Sequence, residues 1–384
     1  MKKTNLLIFD NSQVSASDFS GGERIVIETT KRLENNFAIT LITSNFGKKI
    51  WQKYQVSNVK IIEVSSLGKK SGVLSYFKRA VLGIIWVFKN KSKFDIVYSA
   101  SDFWPDAVPA AALKIIKPNI KWVAGFYLFA PRPWQKNSPY HGWRKLIGFF
   151  YWLTQQPIYW LVKKTADQVW VTSQPDVKKF ITSQRKQTEI VVVRGGVDLD
   201  LYQSIPKQKV KYEAVFIGRF HPQKGVLKLI DIWQKVVAQK PKAKLVIIGH
   251  GPLKKAIEKK IKKLNLEKNI DLLGFLDGKP KIKIFKSSRI VVHPATYDSG
   301  GMAAMEAMAA GLPGISFDLE ALKTYYPQGM MKTPCYNLDK FAENFIKLLD
   351  NKSFYLKLKE RALSLAAQWD WNKKAKFLSK KLIN

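Results

Sequence analysis

The sequence predicts an α/β protein of two doubly wound parallel-sheet domains, and three observations carry that reading. Short apolar runs alternate with helical stretches from one end of the chain to the other. A polar stretch carrying Pro206, from Tyr202 to Lys211, interrupts the alternation near the middle. The chain has 384 residues and 46% hydrophobic composition, long enough and apolar enough for two cores.

Taken in order, NLLIFD, AITLIT, VKIIEV, FDIVYSA, KWVAGFYLFA and QVWVTS read as strands of the first half. IVVVR, YEAVFIG, KLVIIG, NIDLLGF, RIVVHPA and PGISFD read as strands of the second. Unbroken apolar runs of this length suit strands buried on both faces of a parallel sheet. Between them, GERIVIETTKRLEN and VLKLIDIWQKVVAQ have helical composition and spacing. Strand–helix alternation in both halves predicts helices on both faces of each sheet, with ligands at the carboxyl ends of the strands and often between domains. The expected division is 1–205 for a first domain and 206–365 for a second. Residues 366–384, ending in WDWNKKAKFLSKKLIN, are expected to form an amphipathic helix that crosses back to the first domain.

Composition narrows the setting. The lone Cys335 excludes a disulfide framework within the chain and suits a reducing compartment such as the cytoplasm. The start MKKTNLLIFD has a basic end, but its apolar run is too short for a leader and lacks a small-residue cleavage site. Ala80–Phe88 and Leu146–Val162 fall short of the roughly 20 apolar residues of a spanning helix. A formal net charge of +36 allows an anionic substrate, an anionic membrane or nucleic acid as partner. The cations are spread over both halves, as in KKAIEKKIKKLNLEK, which favours solvated basic faces over a focused nucleic-acid groove.

The most informative stretch is YDSGGMAAMEAMAAGLPG. The apolar run Arg289–Thr296 precedes it and the helix-forming run Met302–Ala310 follows. Ser299, Gly300 and Gly301 lie between. A strand, a small-residue turn and a helix start present backbone N–H groups to an anion with no bulky side chain in the way. Asp298 and Glu306 flank the turn. A ligand with phosphate on one side and hydroxyls on the other suits this pattern, and a nucleotide sugar is such a ligand. Arg219 and Lys224, in VFIGRFHPQKGVLKLI, fall at another strand end, where two cations can neutralise a diphosphate. Surface cations are common in this chain, so spacing alone leaves both readings of that pair open.

GRFHPQKG, VIIGHGP, DLLGFL and HPATYDSGGMAAMEAMAAGLPGI, in this order and spacing, resemble the second half of family 4 glycosyltransferases, the glycosyl transferases group 1. The first half resembles them more loosely through SGGERIVIETTKRL, VTSQPDVKKFI and RGGVDLDLY. The resemblance implies the GT-B architecture: two Rossmann-like domains facing across a cleft, the first binding acceptor and the second the nucleotide sugar. It implies a retaining, metal-independent, front-face transfer of a hexose-type unit from a UDP- or GDP-sugar, with no cofactor beyond that substrate. Arg219 and Lys224 match the diphosphate-binding pair, with Gly218 beside them. Glu306 matches the acid that holds the ribose, and Asp298 matches the acid that contacts the donor sugar, where glutamate is commoner. Ser299, Gly300, Gly301, Met302 and Ala303 match the loop facing phosphate and sugar. Phe275 and Leu276 match the stretch that lines the nucleobase. Gly21 and Gly22 match a glycine pair that approaches the diphosphate.

The chain departs from that pattern after KWVAGFYLFAP, where many members carry a histidine facing the sugar. Here stand Phe126, Tyr127 and Phe129, of which Tyr127 offers a hydroxyl. His141 reads as a loop residue. Asp198-Leu199-Asp200 imitates a metal motif but sits beside the linker and reads as structural. GHGP is too short for a dinucleotide fingerprint, and His293 reads as a buried or rim residue. The basic, aromatic segments Arg132–Lys164 and Tyr76–Lys93 suit either core helices with basic ends or a membrane interface, so a glycan or a lipid-linked acceptor at the cytoplasmic face both fit. A non-catalytic scaffold of the same fold, a sugar-nucleotide epimerase and a basic nucleic-acid-binding protein are the rival classes. Nucleotide-sugar binding separates the first two from the last.

Overall fold

The computed structural model describes residues 3–13, 20–33, 36–65, 73–135 and 138–383. Met1 and Lys2 of the basic start, Lys136 and Asn137 of the basic aromatic segment, and Asn384 therefore lie outside the described residues. The chain forms two compact units. The first comprises Met1–Arg132, Leu146–Gly195 and Trp371–Asn384, and the second Pro133–Lys145 and Gly196–Asp370.

The first unit contains, in chain order, β1 (Thr4–Phe9), α1 (Gly21–Lys31), β2 (Phe37–Ser44), α2 (Asn45–Lys53), β3 (Val59–Ser65), α3 (Val73–Asn90), β4 (Ile96–Ser99), α4 (Trp104–Ile116), β5 (Lys121–Gly125), α5 (Arg144–Thr165), β6 (Gln168–Val171), α6 (Gln174–Phe180) and β7 (Ile190–Val192). Its seven strands are parallel in the order β3-β2-β1-β4-β5-β6-β7. Leu6 to Phe9 on β1 are fully buried, as a central strand covered on both faces requires. A capping box starts α1: the Glu23 N–H donates to Ser20 Oγ and the Ser20 N–H to Glu23 Oε2.

The second unit contains α7 (Leu199–Ser204), β8 (Tyr212–Ile217), α8 (Val226–Gln239), β9 (Leu245–Ile248), α9 (Lys254–Lys263), β10 (Ile270–Gly274), α10 (Gly278–Lys286), β11 (Ser288–His293), α11 (Met302–Ala309), β12 (Gly314–Phe317), α12 (Glu320–Tyr325), β13 (Met330–Thr333), α13 (Leu338–Asp350) and α14 (Lys352–Ala366). Its six strands are parallel in the order β10-β9-β8-β11-β12-β13. The final helix, α15 (Trp371–Ile383), packs on α1 of the first unit, with Trp371, Ala375, Leu378 and Leu382 buried. In both sheets the strand order reverses beside the first strand, between β1 and β4 and between β8 and β11. That reversal opens a crevice at the carboxyl ends of those strands.

Four features differ from the expectations, the first being that IVVVR, grouped with the strands of the second half, forms β7 at the edge of the first unit's sheet. The division falls at Gly195–Gly196 and at Asp370–Trp371 rather than at 205–206 and 365–366. The physical reason is that Val197, Tyr202, Ile205 and Trp369 are buried in the core of the second unit. The strand expected over KWVAGFYLFA ends at Gly125. Phe126, whose N–H still donates to the Trp170 carbonyl, and Phe129 pack against Phe180 and Tyr159, with ring centroids 5.2–6.1 Å apart. Strand β13, Met330–Thr333, was not anticipated; it is a short edge strand without the branched apolar run that marks the others.

Candidate active site

The crevice between β8 and β11 gathers most of the expected residues. Gly218 and Arg219 follow β8, and Lys224 sits in a single 3-10 turn, Pro222–Lys224, just before α8. Asp298 lies in the loop after β11, and Glu306 is on the helix that loop enters. Lys224 Nζ donates to Asp298 Oδ2 at 2.7 Å. The pair the sequence placed far apart in the chain is therefore a direct contact.

Asp298 organises this loop. Its Oδ1 accepts the backbone N–H groups of Ser299, Gly300 and Gly301 at 2.9, 3.3 and 3.2 Å. Its Oδ2 also lies 3.1 Å from His293 Nε2. Burial alone would raise the Asp298 carboxyl, but the Lys224 ammonium and the His293 hydrogen bond outweigh it and hold the group far below the ordinary carboxylate range. Burial lowers His293 in turn, so a neutral imidazole with its proton on Nε2 donates to the carboxylate. The sequence pattern offered the amides of Ser299 to Gly301 to a ligand. Here they are directed at Asp298, and Met302 and Ala303 stand in the first turn of α11, where N–H groups have no intrahelical acceptor.

Backbone shape explains the glycines. Gly301 caps α11 with φ +64°, in the left-handed region, and a Cβ there would lie 2.7 Å from His293 Nε2. Gly225, before α8, has φ +68°, and its Cβ would meet the Pro294 carbonyl oxygen at 1.9 Å. The two loops of the crevice are thus in close backbone contact. The Tyr326 hydroxyl donates to the Gly301 carbonyl and pins the loop from below.

Glu306 has a partner the sequence did not reveal. Lys281 Nζ, on α10, reaches both of its carboxylate oxygens, at 2.9 and 3.0 Å, and Asp277 Oδ1 at 2.9 Å. Lys281 is buried, so this is a charge pair held out of water. No spacing signal marks Lys281 among the lysines of KPKIKIFK.

Phe275 follows β10 and is exposed, while Leu276 packs partly into the core. Phe275 lines a cavity of about 620 Å³ with Gly249, His250, Gly274 and Leu273. The His250 and Phe275 rings meet edge to face, 5.5 Å apart. The GHGP motif thus forms one wall of the cavity. His221, beside Arg219, packs its ring on Tyr140 at 6.4 Å. Burial first, then Arg219, Lys224 and Arg144, push His221 down to about 4. Asp198 caps α7 by accepting the Leu201 N–H at 3.2 Å.

In the first unit, Gly21 and Gly22 open α1, and the Tyr127 ring covers Gly22 so closely that a Cβ would lie 2.7 Å from it. The Tyr127 hydroxyl is buried and hydrogen-bonded to Tyr98. Burial raises it above the ordinary phenol range, so it holds its proton at neutral pH. Asp10, just after β1, accepts Trp51 Nε1 at 2.6 Å and Gln13 Nε2 at 2.5 Å. Burial outweighs these bonds and raises Asp10 to about 6. His141 is an exposed loop residue.

Two Rossmann-like units, each a parallel sheet with a strand reversal beside its first strand, define the GT-B class of fold. Residues 200–364, within the second unit, match the family described as glycosyl transferases group 1. An uncharacterized glycosyltransferase of Methanocaldococcus jannaschii is 28% identical over 297 residues, 70% of this chain and 66% of that protein. The phosphatidyl-myo-inositol mannosyltransferase of Mycobacterium tuberculosis is 26% identical over 197 residues, 48% of this chain and 51% of its own. The poly(glycerol-phosphate) alpha-glucosyltransferase of Bacillus subtilis is 27% identical over 170 residues, 43% of this chain and 24% of its own. The chain thus spans less than two thirds of the length of these curated relatives. In fold, it is similar to Anabaena HepE, solved with UDP-glucose, at a TM-score of 0.73 and 17% identity over 99% of both chains. Sucrose-phosphate synthase of Thermosynechococcus elongatus gives a TM-score of 0.73 at 15% identity over 98% of both.

Proposed function

We propose that the chain is a retaining glycosyltransferase that moves a hexose-type sugar from a UDP- or GDP-sugar to a glycan or lipid-linked acceptor in the cytoplasm. The observation that carries this reading is the convergence of Arg219, Lys224, the start of α11 and Glu306 at the strand reversal of the second unit. The names of the curated relatives support the transfer reading, and the Anabaena complex supports a nucleotide sugar as donor.

In this reading Arg219 and Lys224 neutralise the diphosphate, and the Met302 and Ala303 amides add the positive end of the α11 dipole. The same groups stabilise the charge that builds on the departing phosphate, so no metal or other cofactor is required. Asp298 acts by positioning: it fixes the Lys224 ammonium and the turn before α11. Glu306, oriented by Lys281, accepts the ribose hydroxyls, and Phe275 and Leu276 line the base beside the cavity. The leaving phosphate draws the acceptor's proton in a front-face step, so the protein contributes alignment and electrostatics. The first unit supplies the acceptor side; its Tyr127 hydroxyl, buried and paired with Tyr98, is a packing group there rather than a contact to the sugar.

Calorimetric titration with UDP, GDP and their sugars tests the donor reading. The wild-type chain is expected to bind one nucleotide series, and Glu306→Ala to weaken that binding at least tenfold through loss of a charged hydrogen bond of about 1.5–3 kcal/mol. Unchanged affinity in Glu306→Ala would remove Glu306 from the site. Absence of binding by the wild type would remove the donor reading and favour the basic nucleic-acid-binding class.

A further inference from the structure

The helices α3 and α5 of the first unit are amphipathic in the wrong sense for a solvated surface. On α3 the inner face carries Arg79, Ala80, Gly83 and Val87, all buried. Gly83 lets α4 approach so closely that a Cβ there would lie 2.8 Å from Pro109. The opposite face, at helical spacing, presents Leu74 (85% exposed), Phe77 (60%), Val81 (37%), Ile85 (47%) and Phe88 (56%). On α5, Gly148, Gln155, Ile158 and Val162 face inward. Leu146, Phe150, Leu153 and Trp160 form the outer stripe, with Phe150 60% and Trp160 54% exposed. Phe103 joins the two stripes. Its ring lies 5.8 Å from Tyr76 of α3 and 6.4 Å from Tyr151 of α5. A continuous apolar surface of this kind has a partner.

The charges around it say which. Neither helix contains an Asp or Glu. Lys78 and Lys89 stand exposed on α3, Lys91 and Lys93 follow it, and Lys164 ends α5. Lys163 Nζ lies 5.5 and 5.7 Å over the Tyr159 and Trp160 rings, an aromatic and cationic pairing typical of a headgroup region. No helix among the described residues is long and apolar enough to cross a membrane. We propose that the outer faces of α3 and α5, joined through Phe103, dock the chain in the plane of an anionic lipid bilayer. The apolar stripes enter the acyl boundary and the lysines meet lipid phosphates. A protein partner would face a cationic rim with no acid of this surface to pair its own cations. The inference rests on the first unit alone and stands or falls independently of the donor reading.

Vesicle flotation of the full chain tests it, with phosphatidylcholine vesicles and with phosphatidylcholine–phosphatidylglycerol vesicles. Three triple variants accompany the wild type, each checked for an unchanged thermal melt. They are Phe77→Ser/Ile85→Ser/Phe150→Ser, Lys78→Glu/Lys89→Glu/Lys164→Glu, and a control of equal charge on the second unit, Lys259→Glu/Lys262→Glu/Lys268→Glu. The wild type and the control are expected to float with anionic vesicles. Each lost lysine is expected to weaken binding about fivefold, and each lost apolar contact about tenfold. Failure of the wild type to float at low salt would overturn the proposal. So would equal loss in the control, because binding would then follow net charge. Self-association of the wild type that the apolar variant abolishes would also overturn it, because a second copy of the chain would then cover the surface.

Discussion

At the scale of single residues, Asp298 is the tightest knot in the second unit. It holds one ammonium, one imidazole and three backbone amides while buried. Breaking a buried ion pair by removing one member leaves the other uncompensated. Asp298→Ala is therefore expected to lower the stability of the second unit by about 3 kcal/mol, read from urea unfolding. A loss under about 1 kcal/mol, the worth of an exposed pair, would show that the cluster is not held as described. His221 makes a second test. Its folded pKa of about 4 lies below the ordinary 6.5. Between those values the unfolded chain binds the extra proton, so His221 makes stability rise as pH increases through that window and fall as pH drops. Titration of its ring proton resonances is expected to show a midpoint near 4, and a midpoint near 6.5 would contradict the burial beside Arg219 and Lys224. The placement of the acidic pair, the two cations and the glycines around the ends of β8 and β11 was legible from residue type and spacing, while their ligand roles rest on the family resemblance and are proposals. Lys281 and the His293 contact were not, because a lysine among lysines and a lone histidine carry no spacing signal.

At the scale of elements, the two loops of the crevice work as one because Gly225 and Pro294 touch. Gly225→Ala combines left-handed strain with a carbonyl clash and is expected to cost at least about 2 kcal/mol, with weaker nucleotide binding as the loops part. A variant as stable as the wild type would show that the loops have more room than their geometry allows. Twelve of the thirteen strands were legible as apolar runs of the right length. The exception, Met330–Thr333, is short and borders the sheet on one side only, so it lacks the pattern that burial on both faces imposes. The overlong strand at KWVAGFYLFA shows the converse: its apolar run continues past Gly125 because Phe126, buried, and Phe129, partly buried, pack on the rings of Phe180 and Tyr159.

At the scale of the whole molecule, two doubly wound sheets and a returning final helix were legible from alternation alone, because parallel sheets covered on both faces repeat their signature with every strand. The exchange of Pro133–Lys145 into the second unit was not legible, since it depends on contacts such as that of Tyr140 with His221 rather than on local pattern. Nor did composition separate core helices from a membrane face. The exposed α3 and α5 stripes are the observation on which the membrane proposal rests. The account depends most on the second unit's strand reversal being a nucleotide-sugar site, and a crystal structure with bound UDP-glucose tests that most directly. The expected result has the diphosphate between Arg219, Lys224 and the start of α11, the ribose on Glu306 and the base beside Phe275. A nucleotide bound elsewhere on the chain, with the Lys224–Asp298 loop untouched, would contradict it.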